Sequence, residues 1–211
     1  MLLQIALDLE APDSVIEILR ELGEHVDIVE IGTPCIMEYG IGVVKTVKNA
    51  FPAVTLLADL KIMDAGEHES QLAFKAGADI VTVLAAAEDE TVAAVVRQAK
   101  SLDKRVMADM IGVRDFERRV REIDAMGVDY ICAHTAFDLQ RAGNDPLRQL
   151  ALIKANARNA KTAVAGGICI ENLEHILLLD PDIVIVGGGI TGQGDRAATA
   201  LRFKRELQGR T

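Results

Sequence analysis

KAGADIV at Lys75 to Val81, AMGVDYI at Ala125 to Ile131 and LLDPDIV at Leu178 to Val184 are one phrase written three times. In each, Gly or Pro stops a helical stretch, an Asp follows, and a run of buried-strand residues begins. Such a phrase is the return turn of a βαβ unit. Outward from these turns, short apolar runs rich in Val and Ile alternate with amphipathic stretches of about a dozen residues along the chain. The runs predict strands over Leu2 to Leu9, Asp27 to Gly32, Thr55 to Ile62, Ile80 to Ala85, Arg105 to Met110, Tyr130 to Thr135, Thr162 to Gly166 and Ile183 to Gly187. Helical patterns lie between and after them, at Asp13 to Leu22, Gly40 to Ala50, Glu67 to Ala76, Glu88 to Lys100, Phe116 to Met126, Pro146 to Ala155, Asn172 to Leu179 and Arg196 to Leu207. Eight strands and eight helices in strict alternation predict the α/β class and a closed (β/α)8 TIM barrel, with residues 1–211 as one domain.

An open doubly wound sheet has the same alternation without closure. Its best support is Gly187, Gly189 and Gly192, which match GxGxxG after a strand. That motif opens a βαβ unit and is followed about 20 residues later by an acidic ribose ligand. Only one helix follows here, so the dinucleotide reading fails on context.

Composition agrees with a barrel core. Half of the 211 residues are hydrophobic while only 3% are aromatic, so Val, Ile, Leu and Ala must build the interior. A net charge of -9, no Trp and no basic run argue against nucleic acid as a partner. Cys35, Cys132 and Cys169 are odd in number and form no CxxC pair, so neither a disulfide framework nor a zinc knuckle is expected, and a reducing cytoplasm fits best. The opening MLLQIALDLE is apolar for too few residues to be a signal peptide or a membrane span.

In a closed barrel the reacting groups stand at the C-terminal ends of the strands. Those ends carry Asp8 in IALDL, Glu30 in IVEIG, Asp59 and Lys61 in LLADLKIMD, Asp109 in VMADM and His134 in ICAHT. One such residue is as well explained by a helix cap or the surface; five of eight strands converging on one mouth are not. Asp59 and Lys61 are two apart and share a strand face, and Asp64 follows on the loop. Two carboxylates are thus expected to bracket one ammonium, holding it charged and able to move protons or stabilise negative charge. Glu30 and Asp59, on neighbouring strands, offer hard oxygen ligands that suit Mg²⁺, a Lewis acid for an enediolate. The residues also allow Glu30 simply to pair with Lys61. His134 is a candidate proton carrier, although a lone histidine is often structural. His25, His68 and His175 look peripheral.

The last two strands run into VAGGI, with Gly166 and Gly167, and VGGGI, with Gly188 and Gly189. Glycine lets backbone N–H groups approach an anion, so these turns are expected to form a phosphate site, though glycine also serves purely steric ends.

ADLKIMDAG at Ala58 to Gly66 resembles the DxKxxD motif of the orotidine 5′-monophosphate decarboxylase suprafamily, carried by Asp59, Lys61 and Asp64, and the likeness covers nearly the whole chain. Glu30 and Asp59 match the magnesium ligands of its branch of 3-keto-L-gulonate-6-phosphate decarboxylases and 3-hexulose-6-phosphate synthases. The decarboxylases carry HRSRD where this chain has His134 to Asp138, with Phe137 in place of the second arginine, and an arginine where this chain has Gly188. AHTAFDLQRAGNDPL and VGGGITGQGD are similar to the synthases. The resemblance therefore implies an aldehyde-lyase: ribulose 5-phosphate held at Gly166, Gly167, Gly188 and Gly189, an enediolate stabilised by Mg²⁺ and Lys61, and formaldehyde as the second substrate. It implies that Asp8 holds Lys61 or a substrate hydroxyl, that Asp109 contacts substrate hydroxyls, and that Asp64 crosses the interface of an obligate homodimer. His134 and Lys61 both remain candidates for the proton carrier. The decarboxylase is the alternative, and a silent phosphosugar-binding barrel would lack the Asp59, Lys61, Asp64 array.

Overall fold

The computed structural model describes residues 1–140 and 145–209. Eight parallel strands close on themselves in chain order: β1 (Leu2–Leu7), β2 (Ile28–Ile31), β3 (Thr55–Ile62), β4 (Ile80–Leu84), β5 (Arg105–Asp109), β6 (Tyr130–His134), β7 (Lys161–Ala165) and β8 (Ile183–Val186). Closure is made by β1 against β8, with Leu2 opposite Ile183 and Ile5 opposite Val186, which removes the open-sheet alternative.

Alternation along each strand sorts the apolar residues into two cores. Outward residues such as Leu3, Ile5, Val29, Val81 and Val184 pack under the helices. Inward residues Ile28, Leu57, Ile80, Met107, Tyr130, Cys132, Ala163, Ile183 and Ile185 fill the barrel. Each large aliphatic chain so buried contributes about 1.5–3 kcal/mol. The barrel is therefore a plugged core, with Gln4 as a buried polar side chain level with Ile28 and Ile185.

The repeated return turns have a job. Each of four aspartates lies just before an even-numbered strand and accepts the backbone N–H of a residue near the start of the odd strand beside it. The bonds are Leu3 N to Asp27 at 2.8 Å, Leu56 N to Asp79 at 3.0 Å, Val106 N to Asp129 at 2.8 Å and Thr162 N to Asp182 at 2.8 Å. Gly77 (φ 107°) and Gly127 (φ 82°) supply the left-handed helix stops, and in the third phrase Asp180 (φ 47°) takes that conformation before Pro181.

Several strands stop one or two residues short of the expected ends, β1 at Leu7 instead of Leu9 and β5 at Asp109 instead of Met110, because the chain turns at the barrel rim. The helix expected from Gly40 to Ala50 begins at Gly42, and a separate helix Thr33–Tyr39 precedes it. Short helices Phe137–Gln140 and Gly188–Thr191 have no counterpart in the sequence pattern, and Asn172 to Leu179 is helical only over Leu173–Leu177. Part of the phrase AHTAFDLQRAGNDPL, residues 141–144, lies outside the described residues, as do 210 and 211. Among the described residues no helix is long and apolar enough to cross a membrane.

Candidate active site

The strand β3 does not run regularly to its end. Ala58 pairs with Val81 and Ile62 with Val83, so the ladder lapses over Asp59, Leu60 and Lys61. Within this bulge Lys61 takes a left-handed φ of 47°, a conformation that costs a residue with a Cβ about 1–2 kcal/mol. Strain of this kind is held only where the surroundings over-determine it. Here they do.

The Lys61 ammonium makes an ion pair with Asp59 Oδ2, lies 3.3 Å from Thr33 Oγ1 and stands 3.8 Å from Asp109 Oδ2. Burial would pull its pKa down, but the charges of Asp59 and Asp109 overcome that and hold it above the ordinary lysine value. Asp59 is almost wholly buried. Thr82 donates to its Oδ1 at 2.6 Å and Thr33 to its Oδ2 at 2.8 Å. Burial pushes its carboxyl up, yet Lys61 and these hydroxyls prevail and keep it ionised below the ordinary value.

Of the two carboxylates expected around Lys61, Asp59 is in place. Within the chain the second carboxylate is Asp109. Asp64 is exposed, and its Oδ1 accepts the neighbouring Ala65 N–H at 2.7 Å. Met63, Asp64 and Ala65 all lie exposed on the loop after Ile62. Asp8 likewise makes no hydrogen bond or ion pair with Lys61. It sits against Gly32, where an added Cβ would fall 1.9 Å from Asp8 Oδ1 and would have to displace that carboxylate. Burial first, then the nearby charge of Asp59, raises the Asp8 pKa.

Glu30 does not pair with Lys61 either. Its Oε2 accepts from Gln4 Nε2 at 2.6 Å, deep in the barrel. Burial, then repulsion from Asp59, drives its carboxyl well above the ordinary value despite that bond. Glu30 and Asp59 are thus shifted in opposite directions, and the buried Glu30 has no cation of its own. Among the described residues no group of three or more His, Cys, Asp or Glu is placed to hold a metal ion, and Glu30 and Asp59 would offer one only two carboxylates.

His134, at the end of β6, places Nδ1 2.8 Å from Asp109 Oδ2. An ionised carboxylate only accepts, so Nδ1 carries the hydrogen and Nε2 is left with a lone pair in the neutral ring. The strand pattern puts Asp109 at the mouth but gives no sign of this partnership. Thr33, Thr82 and Gln4 also escape it, since their only signal is a polar residue at inward parity in apolar strands or just after one.

At the last two strands, Gly166 (φ 103°) and Gly167 (φ 68°) need left-handed backbone. A Cβ on Gly166 would fall 2.4 Å from Thr135 O, and one on Gly189 2.3 Å from Ile168 O, so both have steric reasons to be glycine. Gly188 opens the short helix Gly188–Thr191, and a Cβ added to it would meet nothing within 4 Å. Space beside it is open.

Comparison with known proteins gives this cluster a family. The family model described as "Orotidine 5'-phosphate decarboxylase / HUMPS family" matches residues 1–203. A curated relative from Bacillus subtilis (strain 168), named 3-hexulose-6-phosphate synthase, is 50% identical over 205 residues, spanning 97% of this chain and 98% of its own. The 3-hexulose-6-phosphate synthase structure from Salmonella typhimurium superposes with a TM-score of 0.97 at 40% identity, over 100% of both chains. The 3-keto-L-gulonate-6-phosphate decarboxylase structure from Vibrio cholerae gives 0.83 at 27% identity, over 97% of both chains. The barrel with its Asp59, Lys61, Asp109 and His134 cluster belongs to the orotidine 5′-phosphate decarboxylase / HUMPS family.

Proposed function

We propose that this barrel is an aldehyde-lyase that condenses D-ribulose 5-phosphate with formaldehyde, giving D-arabino-hex-3-ulose 6-phosphate through an enediolate. The observation that carries the reading is the continuous array Asp59, Lys61, Asp109, His134 at the strand ends, with the buried Glu30 beside it. Relatives at 40% and 50% identity named as synthases support condensation over decarboxylation, as do Phe137 and Gly188 at the two positions where decarboxylases carry arginine.

The ketose would be anchored by its phosphate at Gly166, Gly167, Gly188 and Gly189, with Asp8 meeting a hydroxyl. His134 Nε2 then takes a proton from C1, and Asp109 balances the imidazolium. Negative charge grows on the ketose oxygen, where the Lys61 ammonium stands ready without reorganising. C1 attacks the formaldehyde carbon, forming the new C–C bond as the C=O π bond breaks, and the His134 imidazolium returns its proton to the aldehyde oxygen to give the hydroxymethyl group. Glu30 and Asp59 would hold Mg²⁺, which when bound supplies Lewis acidity to the substrate oxygens.

A homodimer completes the proposal, with Asp64 reaching the neighbouring subunit's site. Asp64 is exposed and free of Lys61 within its own chain, and apolar Met63 (53% exposed) and Leu72 (44% exposed) stand near it in the chain as surface that a second copy would cover. Three free thiols suit a reducing cytoplasm.

The test is formaldehyde consumption by the purified protein with ribulose 5-phosphate, run beside CO₂ release from 3-keto-L-gulonate 6-phosphate. Condensation much faster than CO₂ release, abolished by a chelator, is expected. The reverse ranking would overturn the reading in favour of the decarboxylase, and binding of the sugar phosphate without either reaction would make the barrel a silent binder.

A further inference from the structure

Thr82 lies in the middle of β4, 4% exposed, in the run Ile80–Leu84, and no step above employs it. Its hydroxyl has one proton to give and lone pairs to accept with. Both capacities are used on the same neighbouring segment. Oγ1 donates to Asp59 Oδ1 at 2.6 Å and accepts the backbone N–H of Lys61 at 2.9 Å. The directions are forced, because a backbone N–H only donates and an ionised carboxylate only accepts.

The second bond falls where β3 most needs it. The ladder to β4 lapses between Ala58 and Ile62, so the Lys61 N–H has no strand carbonyl, and the residue it belongs to is the one in left-handed backbone. Thr33 holds the far end of the assembly, through the Lys61 ammonium and the other Asp59 oxygen. Thr82 alone of these two holds the point from which the Lys61 side chain departs.

We propose that Thr82 is a positioning residue: its hydroxyl staples the β3 bulge to β4 and thereby fixes the Lys61 ammonium and the Asp59 carboxylate in one relative geometry. This rests on the reaction proposed above, and it acts through those two residues. A displacement of about 1 Å in such a pair is enough to cost on the order of 100-fold in rate. Valine keeps the shape and burial of threonine while deleting both bonds; serine keeps the bonds and deletes the methyl.

The experiment compares Thr82→Val and Thr82→Ser by steady-state kinetics with ribulose 5-phosphate and formaldehyde, by thermal unfolding, and by crystal structures. Thr82→Val is expected to lower kcat by about 30- to 100-fold with KM for ribulose 5-phosphate within about threefold, because a reacting group and not the sugar anchor is displaced. Thr82→Ser is expected to recover kcat to within about fivefold of the parent, since the staple is a hydroxyl. The Thr82→Val structure should show Lys61 released from positive φ with its ammonium off Asp59. The proposal is overturned if valine keeps the parental kcat and merely melts earlier, or if serine is as impaired as valine. Should valine prevent folding, Thr82→Ala is read against serine in the same way. Should the parent protein not condense the two substrates at all, the reaction assignment fails, and the structures still decide the staple: Lys61 at positive φ on Asp59 in the valine variant sinks it.

Discussion

His134 Nδ1 lies 2.8 Å from Asp109 Oδ2, and the same oxygen stands 3.8 Å from the Lys61 ammonium. One carboxylate therefore orients the candidate base and touches the candidate cation. Asp109 Oδ1 is fixed in turn by the Ile111 N–H at 2.9 Å, so the carboxyl is held at both oxygens. An amide at this position can offer an N–H to Nδ1 and stabilise the wrong tautomer. Asp109→Asn is predicted to lower kcat by about 10²- to 10⁴-fold, and His134→Gln by a similar factor, in a condensation assay. A loss under tenfold in both would remove His134 from the proton transfer.

Lys61→Ala is predicted to reduce turnover by at least about 10³-fold, since it removes the preorganised positive charge from the site of developing negative charge. Circular dichroism should still report the parental barrel, because the outer and inner apolar cores are untouched. A Lys61→Ala protein that retains a tenth of parental activity contradicts the role given to the ammonium.

Glu30 ties stability to pH. Its folded-state carboxyl titrates above its ordinary value of 4.5, so folding takes up a proton, and the metal-free protein loses stability as pH climbs from that value through the raised one. Glu30→Gln removes the titration and keeps the shape. Its unfolding midpoint should exceed that of the metal-free parent at pH 8 and equal it near pH 4, each kcal/mol moving the midpoint by about 2–4 °C in a chain of this size. Activity should vanish in the same variant. A midpoint lower than the parent's at pH 8 would show that Glu30 carries no buried electrostatic penalty.

Asp124 shows the opposite sign, far from the site. It accepts Arg158 N at 3.0 Å, Asn159 N at 3.0 Å and Ala160 N at 2.8 Å, tying the helix Phe116–Met126 to the turn before β7. Burial pushes its carboxyl up, but these N–H groups prevail and depress it below the ordinary 3.8. The stabilisation is present above that pH and is lost as pH falls through the depressed value. Asp124→Ala should cost about 1–3 kcal/mol at pH 7, with the gap to the parent closing as pH falls below 3.8 in urea titrations. A gap independent of pH would mean that the carboxylate charge is irrelevant.

Subunit mixing checks the role of Asp64. If each site combines Lys61 of one chain with Asp64 of the other, Lys61→Ala and Asp64→Asn homodimers are both inactive, while mixed dimers contain one intact site. Re-associating equal amounts should restore about one quarter of parental activity, because half the dimers are mixed and each has half its sites whole. No recovery would confine each site to a single chain.

The periodic features were legible and the local irregularities were not. β3 falls over Thr55–Ile62 as its apolar run predicts, and the return-turn aspartates stand where their phrase puts them. The helix Thr33–Tyr39 escaped because TPCIMEY buries only Cys35 and so has no apolar stripe to show. Thr82 reads as an ordinary β-branched strand residue, and its importance depends on a bulge that no spacing rule encodes. The contact between Asp109 and Lys61 joins β5 to β3 across β4, and no spacing within one strand encodes it. Strand ends named the site; partner choice within it required the register between strands.

The proposed reaction requires His134 and Lys61, beside the carboxylates of Glu30 and Asp59, to create and hold the enediolate of ribulose 5-phosphate. Solvent deuterium incorporation at C1 of that sugar, followed by NMR without formaldehyde, measures this most directly. Incorporation is predicted with the parent protein and Mg²⁺, and none after chelation or in His134→Gln or Lys61→Ala. A C1 that keeps its protium under conditions where the parent protein condenses formaldehyde would contradict the claim.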